Sequence, residues 1–96
     1  MLPSVALRTH REAIRRIALS HRVTNVRVFG SVVHGKDTED SDLDLLVDPT
    51  QETTMLDIGA IRYELKELLG VSVDVLTPRA IPDHFRSVVL QEATPV

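Results

Sequence analysis

The 96-residue chain has no cysteine and no tryptophan, and its only aromatics are Phe29, Tyr63 and Phe85. Without cysteine, disulfides and thiolate zinc sites are excluded. The histidines (His10, His21, His34 and His84) show no metal-ligand spacing either, so a zinc centre is not expected. Three aromatics, two of them inside apolar patterns, are too few for the stacking platforms of single-strand binders, and nucleic acid is not expected as a direct ligand. No apolar run approaches the roughly 20 residues that would span a membrane. The start, Met1-Leu2-Pro3-Ser4, lacks the charged and apolar regions of a signal peptide, which leads to the expectation of a soluble, cytoplasmic protein. The length is room for one domain, residues 1–96. A domain of this size buries only ~60–70% of its unfolded surface, so any further apolar face would be available to a partner.

Charge is unevenly spread. Residues 1–36 hold seven Lys/Arg and one Glu, a net +6, whereas residues 37–96 hold four Lys/Arg and thirteen Asp/Glu, a net −9; the two together give the overall −3. A basic first third suits RNA phosphates or an acidic protein surface, and equally a plain solvated helix face.

Periodicity divides the chain into six elements. Val5 to His21 has Ala13, Ile14, Ile17 and Ala18 at helical spacing, with Thr9 and Glu12 as an alternative capping-box start. Val26-Arg27-Val28-Phe29 is a short strand ended by Gly30-Ser31, and Lys36 to Ser41 is a loop. Asp42 to Val47 is a second strand closed by Asp48-Pro49. Thr53 to Leu69 predicts an amphipathic helix with Leu56, Ile61, Leu65, Leu68 and Leu69 inward and Gly70 as its left-handed terminator. Val71 to Leu76 is a third strand. Pro82 opens a last helix whose buried face would be Ile81, Phe85, Val88 and Val89. Ala93 to Val96 is expected to fray. The order α-β-β-α-β-α predicts an α/β (α+β) fold, a small mixed β-sheet flanked by helices.

Three features at strand ends carry chemistry. Gly30-Ser31 directly follows a buried-looking strand. A glycine permits close backbone approach, and a serine hydroxyl with adjacent amides can hold phosphate oxygens, although most such dipeptides are ordinary turns. Asp42-Leu43-Asp44 places two carboxylates on one face of a strand, about 6.6 Å apart along the chain. Such a pair repels itself, yet offers the hard oxygen donors that Mg²⁺ takes; a polar edge strand is the alternative, which Leu46 fits poorly. Asp74 sits within Val73-Asp74-Val75-Leu76, where an acid is expensive unless paired, metal-bound or turned to solvent.

Taken together, Val28-Phe29-Gly30-Ser31-Val32-Val33-His34-Gly35 and Ser41-Asp42-Leu43-Asp44-Leu45-Leu46-Val47, with a later strand carboxylate, resemble the signature of the DNA polymerase β-like nucleotidyltransferase superfamily. In detail the chain looks like the minimal nucleotidyltransferases that act as antitoxins to HEPN-domain ribonuclease toxins. That resemblance implies that Gly30 and Ser31 bind the triphosphate. It implies further that Asp42 and Asp44 hold divalent metal and contact the nucleotide, and that Asp74 is a third metal ligand and the general base. It implies Mg²⁺, two ions, as cofactor and ATP as substrate. The reaction would be transfer of AMP to a tyrosine hydroxyl of a HEPN toxin, within a hetero-oligomer. Two alternatives stand beside it: an antitoxin that acts by binding alone, and transfer to a small molecule or an RNA end. The family usually has Ala-Arg-Gly where this chain has Val33-His34-Gly35. That exchanges a permanently charged side chain for one only partly charged near neutral pH, with Lys36 following closely.

Overall fold

A computed structural model describes all residues, 1–96. Helix α1 (Pro3–Leu19) is followed by strand β1 (Val23–Phe29), a 3-10 turn (Gly30–Val32) and strand β2 (Leu43–Pro49). Helix α2 (Met55–Leu69), strand β3 (Val73–Leu76), a second 3-10 turn (Pro78–Ala80), helix α3 (Asp83–Glu92) and a short strand β4 (Thr94–Pro95) complete the chain. The sheet order is β3-β2-β1-β4. β1 runs antiparallel to both β2 and β4, whereas β2 and β3 are parallel, so the sheet is mixed as expected. The parallel pair requires a crossover, which α2 supplies.

Strand alternation sends Leu43, Leu45 and Val47 of β2, Val73 and Val75 of β3, and Val28 of β1 to one face. There they meet Ala6, Leu7, Ile14 and Ala18 of α1 and Ile61, Leu65 and Leu69 of α2 in a single core. The register pairs Phe29 with Asp44, Arg27 with Leu46, Asp44 with Asp74 and Leu46 with Leu76, so these residues share the opposite face. Only Leu46 and Ile81 are buried hydrophobics outside the main core. The upper part of that second face remains polar and accessible.

Several local features have direct causes. α1 begins at Pro3, whose fixed φ and missing N–H suit the first helical position, and not at Thr9; its last residue is Leu19, two short of His21. A non-helical His10 kinks α1 just after Thr9, but Thr9 makes no capping hydrogen bond. α1 has no cap from its own N-cap residue Leu2. Instead, the Ser4 amide donates to Asp37 Oδ2 at 2.8 Å. α2 starts at Thr54 with a reciprocal capping box to Asp57, and Gly70 ends it at φ +69°. β1 extends three residues before Val26, through a register shift between Thr24 and Arg27 where Asn25 takes φ +50°.

Three expectations about burial are corrected. Leu56 and Leu68 do not face the core: they are 84% and 43% exposed, and Ile58 packs against the core instead. α3 buries none of its residues; Ile81 is buried ahead of it, but Phe85 and Val88 are 55% and 49% exposed. The terminal residues do not fray. Thr94 and Pro95 pair with Val28 and Arg27, the Val96 amide donates to the Val26 carbonyl at 3.0 Å, and the Val96 side chain enters the core.

Candidate active site

The site lies where β1 ends beside the start of β2. After Phe29 the chain turns through Gly30 at φ +79°, a left-handed conformation natural only to glycine. The same glycine is required sterically, because a Cβ built there would overlap the Asp44 carboxylate. In this one position, sequence and space agree: the turn and the second aspartate of Asp42-Leu43-Asp44 are in direct apposition. The Ser31 and Val32 amides, second and third in the 3-10 turn, donate to no backbone carbonyl or side chain. Unsatisfied amides at a turn of this kind attract anions. Gly35, at φ +67°, lets the segment fold back, with the Lys36 amide donating to the Ser31 carbonyl at 2.9 Å.

The carboxylates are arranged by the sheet. Asp44 and Asp74 are partners in the parallel β2–β3 register, on the face opposite the core. Neighbouring strands lie ~4.8 Å apart, so two like charges stand side by side. Asp42 immediately precedes β2, whose first residue is pinned by the Leu43 amide donating to the Ser72 carbonyl at 2.8 Å. Burial pushes the Asp44 carboxyl up to about 6, with Asp74 and then Asp42 adding to the effect. None of the three accepts a hydrogen bond or pairs with a cationic side chain. A half-buried carboxylate without a counter-charge, beside two others, is a donor set that suits a hard divalent cation. As the side chains stand, no three of them are gathered closely enough to enclose an ion.

The sequence-predicted residues Gly30, Ser31, Asp42, Asp44 and Asp74 are therefore brought to one end of one face. His34 is not aimed into this end. Its ring Nε2 lies 3.0 Å from Glu92 Oε2, so it ties the turn to the end of α3. Lys36 is exposed and makes no ion pair. Sequence reasoning missed Glu92, for which no spacing rule exists, and Asp37, whose loop position gives no sign that it caps α1. It also missed Arg27, which shares the carboxylate face. Arg27 pairs with Asp48 at 2.6 Å while its Nε is buried without a partner, and Asn25 reaches the same Asp48 at 2.9 Å.

Free amides at a glycine turn beside a row of uncompensated carboxylates suit a protein that handles phosphate groups with a divalent cation. The profile of the nucleotidyltransferase domain family matches residues 7–96. The chain belongs to that family and is a minimal nucleotidyltransferase. A candidate protein adenylyltransferase of Methanocaldococcus jannaschii is 39% identical over 80 residues, covering 83% of this chain and 86% of that one. Protein adenylyltransferase MntA of Thermococcus cleftensis is 33% identical over 89 residues, covering 84% and 90%. The solved structure of a candidate minimal nucleotidyltransferase superposes with a TM-score of 0.86 at 43% identity, covering 97% and 95%. A crystallised toxin–antitoxin complex with AMP-PNP shares the fold at a TM-score of 0.74 and 17% identity, covering 88% of this chain and 69% of that one. No helix of this chain is long and apolar enough to cross a membrane.

Proposed function

We propose that residues 1–96 act as one domain that transfers AMP from ATP, with Mg²⁺, to a tyrosine hydroxyl of a HEPN-domain ribonuclease toxin in the cytoplasm, and so silence it. The observation that carries this reading is the apposition of Asp44 to Gly30, with Asp74 in register beside it. Support comes from the names of the relatives, one a protein adenylyltransferase and others candidate protein adenylyltransferases, and from the fold shared with a toxin–antitoxin complex.

The roles follow from chemistry at each position. Gly30 leaves room for a triphosphate to approach the backbone, and the Ser31 hydroxyl with the Ser31 and Val32 amides would hold its oxygens. Asp42, Asp44 and Asp74 would hold the Mg²⁺ ions. Bound there, the cations would supply neutralisation of phosphate charge and polarisation of the phosphorus–oxygen bond. Asp74 would accept the proton of the acceptor hydroxyl. The acceptor oxygen then bonds to the α-phosphorus, the α–β phosphoanhydride breaks, and pyrophosphate leaves with the electron pair. At neutral pH the Asp44 carboxyl, raised to about 6 by burial, is mostly ionised yet poorly solvated, a charge that a bound cation would stabilise.

The test is intact-mass spectrometry of the co-purified partner after incubation with this protein, Mg²⁺ and ATP, followed by peptide fragmentation. The expected result is a gain of one or more AMP units, mapped to tyrosine. A partner bound tightly but unchanged in mass overturns transfer and leaves an antitoxin that acts by binding alone.

A further inference from the structure

We infer that the cavity between α1 and the end of β1 is a docking pocket for an acidic, aliphatic segment of a protein partner; that there is a protein partner rests on the reading above. The cavity holds about 330 Å³, at the lower end of the ~300–1,000 Å³ range of binding pockets. Half of its lining is aliphatic: Leu7 of α1, Val28 of β1, and Val32 and Val33 at the glycine turn. Arg8 and Arg11 line it from α1, and Ser4 and Thr94 complete it.

The two arginines say what would fill it. Both are exposed, and neither makes an ion pair or a side-chain hydrogen bond within the chain. The nearby charges are already engaged: Arg15 pairs with Glu12, and Asp37 accepts from the Ser4 amide. Residues three apart on a helix are neighbours, and the kink at His10 falls between these two yet leaves both on the cavity. Free guanidiniums match carboxylates in a fork. A free inorganic anion would satisfy them but leave the four aliphatic side chains uncovered. No aromatic lines the cavity, so a nucleic-acid base has nothing to stack on. A peptide with Asp or Glu beside Leu, Ile or Val meets both demands, and the net +6 of residues 1–36 would steer it in.

The position of the cavity ties it to the carboxylate site without merging the two. Val28 faces α1, whereas Asp44 and Asp74 lie on the opposite face of the sheet. Val32 belongs to the same 3-10 turn as Gly30 and Ser31, and Val33 follows it directly. The turn therefore lines the cavity through its valines and abuts Asp44 through Gly30. A partner anchored in the cavity is held at the end of the sheet where Asp44 lies.

The experiment measures the affinity of the separated partner protein by calorimetry, without ATP or Mg²⁺. It compares wild type, Arg8→Glu/Arg11→Glu, the cavity-filling Thr94→Tyr, and Arg62→Glu/Lys66→Glu, a matched charge reversal on α2. All the substituted side chains are exposed, and thermal melting checks that each variant folds. The Arg8/Arg11 reversal and Thr94→Tyr are each expected to weaken binding by roughly tenfold or more, with the α2 reversal silent. Unchanged affinity in either of the first two overturns the pocket, as does an equal loss in the α2 reversal. Binding of a poly(U) oligonucleotide that needs Arg8 and Arg11, with partner binding unchanged, reassigns the arginines to RNA and overturns it too. Because no ATP is present, transfer is scored separately: a partner that needs the pocket to bind but never gains AMP overturns the transfer reading and leaves the pocket standing.

Discussion

At the scale of single residues, the site is written in positions where side-chain identity has no substitute. Gly30 combines a positive φ with the immediate presence of Asp44. Gly30→Ala is expected to displace Asp44 or open the turn, costing about 1–3 kcal/mol in chemical denaturation and most of the ATP affinity in calorimetry. Asp44 makes the opposite demand. Its folded carboxyl is raised to about 6 from 3.8, so the fold disfavours its charge. This penalty is absent below pH 3.8, grows between 3.8 and about 6, and is complete above that. A shift of this size corresponds to about 3 kcal/mol at most, and solvent screening of the half-exposed group reduces it to roughly 1–2. In EDTA at pH 7 to 8, Asp44→Asn should therefore melt above wild type, with the advantage disappearing toward pH 4. Added Mg²⁺ should reverse the order by stabilising wild type alone. Gly30, Ser31, Asp42, Asp44 and Asp74 were all legible in the sequence, because period-two alternation and a glycine turn are local signals. The His34–Glu92 tie was not, since it joins residues 58 positions apart.

At the scale of elements, helices and strands with strong local chemistry were readable and those held by distant partners were not. The α2 terminator Gly70 adopts the left-handed cap its position requires, and Thr54 with Asp57 closes the other end. The start of α1 depended on Pro3 and on Asp37, a loop residue 33 positions from the Ser4 amide it accepts from. That hydrogen bond holds the Asp37 carboxyl below the usual range, so its contribution is present above the ordinary carboxylate pKa and lost as pH falls through the lowered one. Asp37→Ala should lower the melting temperature at neutral pH, in line with the ~0.5–2 kcal/mol of a lost cap, and speed amide exchange in the first turn of α1. Leu56, Phe85 and Val88 illustrate the opposite error. Their helical spacing predicted burial, but periodicity shows only that apolar residues share a side, not that this chain supplies the surface they meet.

At the scale of the molecule, the mixed sheet follows from the α-β-β-α-β-α order, but β4 does not. Four residues ending in Pro95-Val96 look too short and polar for a strand, and they become one only because the free edge of β1 accepts them and Val96 finds the core. Replacing Val96 with Asp should destabilise the domain by about 2–4 kcal/mol, read from the urea midpoint, because an unpaired charge would enter that core. The whole is asymmetric: one face of the sheet is sealed by α1 and α2, and the other has carboxylates at one end and a small buried apolar patch at Leu46 and Ile81.

The most direct measurement follows label from α-³²P-ATP into the partner protein, using wild type, Asp44→Asn and Asp74→Asn at equal folded concentration with Mg²⁺. Transfer by wild type, with a loss of roughly a hundredfold or more in each variant, is the outcome the site requires. Undiminished labelling by both variants would contradict it and place the chemistry elsewhere.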